Sequence, residues 1–423
     1  MPRYESRSVL RFRWGVLVTF AVSLVCLLGC TSIIRSHSMM PTGPSAPNVI
    51  RTLGADQTFS NRSMRSLAEP IRTQHGTEPL NILALSAGGA DGAFGAGALV
   101  GLTRSGSRPQ FSIVTGVSAG ALIAPYAFLG SAWDSQLIEI YTTGRAANLL
   151  QSRGLGALFG SSMYRGRPLE ELIDHYTTDA LIQAVAREAA TGRLLLIVTT
   201  NVETGEAVVW DLGSIALNGG AHARTMFRDV LVASASVPGM FPPVIIRVPE
   251  HRVTMEEAHV DGTVSVPFFV PTGFAEDTDR GVPARARGAR IYVIIDGHLS
   301  EERLWVPLRA RAIVSRSVSA GLNHMMRTTL ELAATNVELE GAQLQYAAIP
   351  LAYPAVTPFD FRIETTRPLF HYGYDCARAG RLWIFSRPAG EQERVAASAH
   401  IPCPVEAGNE LIDGVSTAME GNQ

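Results

Sequence analysis

The chain has 423 residues, of which 46% are hydrophobic and 17% are charged, and its formal net charge is −2 at pH 7. This length and apolar content predict one large domain with appendages, or two domains. Because the charge shows no basic excess, nucleic acid is not indicated as a partner.

The first 30 residues are arranged like a targeting signal. Arginines are concentrated in the first 13 residues, an apolar run follows at 15–29, and Leu27-Leu28-Gly29-Cys30 closes it. The run is short for a membrane-spanning helix, which needs about 20 residues, and an uncleaved anchor is the alternative. The segment resembles a bacterial lipoprotein signal, which implies that Cys30 is acylated, for example with palmitate, and becomes the mature N-terminus.

Composition suggests how the remaining chain is divided. Residues 31–78 are rich in Ser, Pro, Thr and Arg and are expected to be a flexible tether. A catalytic domain is expected at 79–348, and 349–423 is interpreted as a C-terminal extension packed on it. Thr31 follows the cysteine, and by resemblance this implies a lipoprotein of the outer membrane that faces the periplasm.

A glycine-rich loop follows the first predicted strand of the domain. The strand is at 80–85, the loop is Ser86-Ala87-Gly88-Gly89-Ala90-Asp91-Gly92, and a helix follows at 93–102. Consecutive glycines before a helix can present backbone N–H groups to a developing oxyanion, as acyl transfer requires. A phosphate loop is not indicated, because Ala98 and Leu99 stand where Lys and Ser/Thr are needed. The alternative is a glycine-rich turn used only for close packing.

A second sharp turn carries a candidate nucleophile. A predicted strand at 111–115 runs into Gly116-Val117-Ser118-Ala119-Gly120, and an apolar helix continues beyond it. In Gly-x-Ser-x-Gly the serine lies on a tight strand-to-helix bend, exposed at a helix N-terminus, and Gly116 and Gly120 allow close approach. The alternative is that Ser118 only caps the helix.

The rest of the domain is predicted from periodicity. Helices are expected over most of 131–190 and 306–348 and at 224–236, and strands at 193–202, 207–210, 244–248, 256–260 and 290–295. The arginines within 306–348 could place a helix on an anionic surface, but an ordinary solvated helix face is favoured.

Four motifs in order resemble the patatin-like phospholipases: the glycine loop, the Gly-x-Ser-x-Gly turn, the Ala-Ser…Phe-Pro-Pro stretch at 233–243, and Asp261-Gly262. The resemblance implies a three-layer αβα domain with a mainly parallel central sheet. It also implies a lipid acyl hydrolase that forms an acyl-enzyme through a Ser118–Asp261 dyad, with donors from Gly88, Gly89 and Ala90. The implied substrate is a phospholipid or other lipid ester, with no cofactor and no metal.

The sequence departs from the family at Asp91, which stands where the family loop carries Arg or Lys. Two alternatives to the dyad remain. One is a Ser-His-Asp triad, with Asp296 as a competing Asp-Gly and a base among the histidines His298, His324, His371 and His400. The other is a non-catalytic outer-membrane lipoprotein that uses the fold for binding.

Cysteines give one further prediction. Cys26 lies in the apolar run and Cys30 is the proposed lipidation site, which leaves Cys376 and Cys403. An even pair in an oxidising compartment suggests a disulfide, and two free thiols are the alternative. No Cys/His cluster has the spacing of a zinc site.

Overall fold

A mixed sheet of ten strands runs through the part of the chain that the structure, a computed structural model, describes: residues 40–41, 79–154, 160–250, 253–271, 288–300, 305–339, 341–354 and 357–385. The strands are β1 (Met40–Pro41), β2 (Asn81–Leu85), β3 (Ile113–Val117), β4 (Leu194–Asn201), β5 (Ala207–Asp211), β6 (Val244–Glu250), β7 (Val253–Asp261), β8 (Arg290–His298), β9 (Gln343–Ile349) and β10 (Ile384–Phe385).

Helices lie between several of these strands along the chain. They are α1 (Gly92–Arg104), α2 (Ala119–Leu129), α3 (Asp134–Thr142), α4 (Arg167–Tyr176), α5 (Asp179–Ala189), α6 (Leu212–Asn218), α7 (Gly220–Ser234), α8 (Ala310–Leu339) and α9 (Ile363–Arg378). Of the described helices, none is long and apolar enough to cross a membrane.

Five parallel strands form the centre of the sheet, in the order β4-β3-β2-β8-β9. Every residue of β3 and β4 is buried, as expected of parallel strands covered on both faces. Antiparallel strands flank this centre: β5 and β7 pair with β4, β6 and β1 pair with β7, and β10 pairs with β9.

Side chains of the central strands alternate between two cores. Leu83 and Leu85 of β2 face a core built with α1, α2, α7 and α9, whereas Ile82 and Ala84 face a second core that includes α8. The sheet is therefore the middle of three layers, and the predicted three-layer α/β fold with a mainly parallel sheet is confirmed.

Two segments differ from the sequence prediction. Residues 343–348 were expected to be helical but belong to β9, which is parallel to β8. Residues 363–378, within the expected C-terminal extension, form a 16-residue helix, α9, that was not predicted. In both cases contacts with residues distant in sequence determine the secondary structure. Residues 343–349 pair with β8, and α9 packs along α1.

Helices α1 and α9 approach each other through glycines. A Cβ at Gly97 would lie 1.9 Å from Phe370 O, one at Gly101 would lie 2.2 Å from Tyr374 O, and one at Gly373 would lie 2.2 Å from Phe94 O. These distances are far below van der Waals contact, so the two helix backbones can meet only where a side chain is missing.

Several predicted features fall outside the described residues. Cys30 and the apolar run before it belong to residues 1–39, and most of the expected tether is also outside. Cys376 on α9 is buried and disulfide-bonded. Its predicted partner Cys403 lies outside the described residues, so the pairing stays a prediction.

We expect Gly97→Ala to destabilise the protein, because the added methyl group would force α1 away from α9. Overpacking of this kind costs about 1–3 kcal/mol. The free energy of unfolding measured by urea titration tests this expectation. Gly321→Ala on α8 is the control, since a Cβ there meets no described atom within 4 Å and alanine is the better helix former. Equal stability of Gly97→Ala and wild type would contradict the close packing.

Candidate active site

Ser118 lies at the junction of β3 and α2 with a strained backbone. Its φ of +53° and ψ of −119° make it the one non-glycine residue with a positive φ among those described. A Cβ at Gly120 would lie 2.5 Å from Leu85 O, and one at Gly116 would lie 2.5 Å from Gly120 O. The bend therefore needs glycine on both sides of the serine, as the Gly-x-Ser-x-Gly pattern predicts.

A serine of the 233–243 stretch supports this bend. The N–H of Ser118 donates to Ser234 Oγ at 3.0 Å, and Ser234 Oγ donates to Val198 O at 2.7 Å. The 233–243 stretch was recognised in the sequence, but the hydrogen bond from Ser118 N–H to Ser234 was not predicted.

The N–H of Ala119, at the start of α2, has no acceptor among the described residues and is available to a bound group.

Asp261 ends β7 and faces Ser118. The N–H and Oγ1 of Thr263 donate to Asp261 Oδ1 at 2.8 and 2.5 Å. Within the described part of the chain, Asp261 Oδ2 has no hydrogen-bond partner of normal geometry. The Ser118 hydroxyl nevertheless lies close enough to lower the pKa of the Asp261 carboxyl. Burial has the larger, opposite effect, and the pKa of Asp261 is raised to about 6.

The sheet fixes where Asp261 lies. β7 runs antiparallel to β4, with Asp261 opposite Thr199, and β4 in turn lies beside β3, which leads to Ser118. The N–H of Asp261 donates to Ser236 O at 2.9 Å, and Thr200 Oγ1 donates to Asp261 O at 3.0 Å. Backbone and side-chain contacts thus hold the carboxyl in place independently of Ser118.

The glycine loop follows β2 and presents two unused donors. The N–H groups of Gly88 and Gly89 have no acceptor among the described residues. Neither position accepts a side chain: a Cβ at Gly88 would lie 2.1 Å from Asp296 O, and one at Gly89, whose φ is +59°, would lie 2.1 Å from Pro358 O.

The third predicted donor of the loop is corrected by the structure. The N–H of Ala90 donates to Pro358 O at 2.7 Å, so it is not available to a substrate. Pro358 is distant in sequence, and no local pattern could have revealed this contact. The backbone donors left for an oxyanion are Gly88 and Gly89 of the loop and Ala119 of α2.

These groups open into one cavity of about 870 Å³. Ser118, Asp261 and the glycine loop line its floor, and most of the other lining residues are apolar. The cavity lies at the carboxyl ends of β2, β3 and β8, where ligands bind in open α/β sheets. No group of three or more His, Cys, Asp or Glu residues suited to a metal occurs in the described ranges.

A second pair of buried carboxyls, Asp91 and Asp296, lines the same cavity. Gly95 N donates to Asp296 Oδ1 at 2.8 Å, whereas Asp91 Oδ1 and Asp296 Oδ2 have no described partner. Burial raises the pKa of Asp91 to about 7. It raises the pKa of Asp296 well above its usual value, and the nearby Asp91 raises that pKa further.

None of the described histidines hydrogen-bonds Ser118. His259 is buried, with Nδ1 3.0 Å from Thr199 Oγ1 and Nε2 3.2 Å from Glu257, and its ring packs edge-on against Trp210. His298 lines the cavity at the end of β8. The other candidates are His324 on α8, His371 on α9 and His400, which lies outside the described residues.

Comparison with known proteins assigns one part of the chain to a family model. Residues 83–271 match the family model of patatin-like phospholipases, a match that includes the glycine loop, Ser118 and Asp261. Among solved structures, VipD from Legionella pneumophila aligns with a TM-score of 0.34 and 13% identity over 70% of this chain and 66% of that chain, just under two thirds of VipD. No curated protein is similar enough in sequence to count as a relative.

We expect the buried carboxyl of Asp91 to make stability depend on pH. Its pKa rises from 3.8 to about 7 on folding, so the folded state holds this proton more tightly and loses stability as the pH rises between those values. Asp91→Asn removes this contribution. The melting temperature of the variant relative to wild type should therefore increase from about pH 4 to about pH 8. An offset that is constant with pH would show that Asp91 ionises normally.

Proposed function

Because residues 83–271 form a patatin-like phospholipase domain, we propose that the chain is a lipid acyl hydrolase in which Ser118 is the nucleophile and Asp261 is the base. The observation that carries this proposal is the pairing of the strained Ser118 with a buried carboxyl whose Oδ2 has no other partner of normal geometry among the described residues. The resulting acyl-enzyme mechanism needs no cofactor.

In the proposed first step, Ser118 Oγ attacks the ester carbonyl carbon while its proton passes to Asp261 Oδ2. The carbonyl oxygen becomes an oxyanion, which the N–H groups of Gly88, Gly89 and Ala119 stabilise. The C–O bond of the ester then breaks, and the leaving alcohol takes the proton from Asp261. The acyl group remains on Ser118.

In the second step, Asp261 takes a proton from a water molecule as that water attacks the acyl-enzyme. The same three N–H groups stabilise the second oxyanion. When it collapses, the fatty acid leaves and the proton returns to Ser118. Each step returns the carboxyl to its ionised form, so one base serves both halves of the reaction.

The surroundings of Asp261 support its role as a base. An ordinary aspartate, with a pKa of about 3.9, is too weak a base to deprotonate a hydroxyl efficiently. Burial raises the pKa of Asp261 to about 6, closer to the pH at which a general base works best. Thr263 holds Oδ1, which leaves Oδ2 for the proton of Ser118.

The cavity supports a lipid ester as substrate. Its volume of about 870 Å³ lies within the range of pockets that bury an extended ligand. Apolar side chains such as Val237, Pro238, Met325 and Met326 line it and suit an acyl chain. We propose a phospholipid or another lipid ester, because the domain belongs to the phospholipase family.

Two alternatives remain. The triad esterase has less support, because no described histidine hydrogen-bonds Ser118. The non-catalytic lipoprotein rests on Asp91, which replaces a basic residue of the family loop. The experiment below separates all three, since only the enzymes turn over an ester and only the triad depends on a histidine.

The cellular location stays a proposal that rests on the sequence. We propose that Cys30 is lipidated and that the mature protein is attached to the outer membrane, facing the periplasm. A disulfide between Cys376 and Cys403 fits that oxidising compartment. The described structure adds that Cys376 is disulfide-bonded.

We expect Ser118→Ala and Asp261→Asn each to lower kcat for a lipid ester by about 10⁴-fold, as loss of a nucleophile or its base does in serine hydrolases. Asp211→Asn is the matched control. Asp211 is also a buried aspartate, but it caps α6 and does not line the cavity. Circular dichroism shows whether each variant is folded.

Single replacements of His259, His298, His324, His371 and His400 should leave measurable turnover. Complete loss in one folded histidine variant would move the assignment to a triad. Wild-type turnover by Asp261→Asn would exclude Asp261 as the base, and no turnover of any lipid ester by the wild-type protein would favour the binding lipoprotein.

A further inference from the structure

Helix α8 has two parts with different surroundings. In its second part, Met326, Leu330, Ala333 and Val337 follow one another at helical spacing and pack against the sheet. The first part of the helix and residues 305–307 line the cavity, and several of their apolar side chains are exposed. The two parts therefore belong to one element but serve different surfaces.

Large apolar side chains are exposed in the first part of α8 and just before it. Trp305 is fully exposed, Leu308 is 93% exposed, and Val318 and Leu322 are 57 and 37% exposed. We call these four residues the apolar rim. Single exposed apolar residues are ordinary, but several around one cavity indicate a site of interaction with another molecule or a membrane.

The apolar rim is continuous with the proposed active site. Trp305, Val318 and Leu322 line the same cavity as Ser118. Two further exposed residues, Val264 and Leu351, line it from other segments of the chain. Apolar side chains therefore extend from the floor of the cavity to the solvent around its mouth.

The charge of this segment is one-sided. Residues 305–330 contain Arg309, Arg311, Arg316 and Arg327 and no aspartate or glutamate. Cationic residues interspersed with Trp and Leu are typical of helices that lie on an anionic lipid surface. Tryptophan in particular favours the interface between lipid headgroups and acyl chains.

We propose that the apolar rim docks on the surface of an anionic lipid bilayer, with Trp305 and Leu308 inserted among the acyl chains and with the exposed Arg309 and Arg327 at the headgroups. The cavity mouth then opens toward the membrane, and a lipid can reach Ser118 without crossing water. The benefit of docking rests on the proposed function, because docking would bring the lipid substrate to Ser118. The binding of the protein to the bilayer does not itself require catalysis. The ordinary solvated helix face that the sequence alone favoured is the alternative.

Docking is measured with the full chain carrying Ser118→Ala, so that the lipid is not hydrolysed. Vesicles of phosphatidylglycerol and phosphatidylcholine with brominated acyl chains quench a tryptophan that enters the bilayer. The chain has five tryptophans, and the further variant Trp305→Phe isolates the signal of Trp305. We expect that signal to be quenched by anionic vesicles and to be quenched far less by vesicles of phosphatidylcholine alone.

A kinetic test uses the active chain. We expect the double variant Leu308→Asp/Val318→Asp to lower the ratio of turnover on anionic vesicles to turnover of a soluble short-chain ester by about tenfold, because charged side chains oppose insertion. The ratio removes any general loss of activity. Leu217→Asp on α6 is the matched control, since Leu217 is 51% exposed but does not line the cavity, and it should leave the ratio unchanged.

The outcomes separate docking from catalysis. Quenching of Trp305 without turnover by the active chain would sustain docking and remove the proposed function. Turnover with no quenching of Trp305, or with an unchanged ratio in the double variant, would overturn docking while the function stands. Equal quenching by anionic and zwitterionic vesicles would overturn the selectivity assigned to the arginines.

Discussion

The close contact between Gly120 and the end of β2 is the constraint on which the candidate site depends. The N–H of Gly120 donates to Ser86 O at 3.1 Å, and a Cβ at this position would lie 2.5 Å from Leu85 O. This contact brings the loop after β2 against the bend after β3. Two loops from adjacent strands thereby face one cavity, with the N–H groups of Gly88 and Gly89, for which the described residues provide no acceptor, on one side and Ser118 on the other. A larger residue at 120 would separate donor and nucleophile.

Burial of carboxyls gives the site its second property. Asp91, Asp261 and Asp296 line one largely apolar cavity, and burial raises the pKa of all three. Ionised Asp261 can accept a proton, whereas a neutral Asp91 does not oppose the negative charge that develops on a nearby oxyanion. In this way the acid at position 91 is compatible with hydrolysis although the family loop carries a base there.

The sequence predicted those features that depend on neighbouring residues. Gly-x-Ser-x-Gly requires a specific backbone bend, and buried strands give continuous apolar runs, so Ser118 and the sheet were predictable. Features set by distant partners were not. The N–H of Ala90 donates to Pro358 O, and the N–H of Ser118 donates to Ser234 Oγ. Residues 343–349 form a strand because they pair with β8. The exposure of Trp305 could not be predicted either. An apolar residue is expected to be buried, and only the structure shows which side chains are covered by other elements.

The proposed mechanism depends most directly on Asp261 as the base that activates Ser118. A fluorophosphonate that modifies the nucleophile tests this point, with the rate followed by intact mass and the site located by peptide mapping. The rate at Ser118 should rise with pH and reach half its maximum near the pKa of Asp261, about 6, because only the ionised carboxyl accepts the proton. In Asp261→Asn the reaction and this pH dependence should be lost. Modification of folded Asp261→Asn at the wild-type rate, with the same midpoint, would contradict the account.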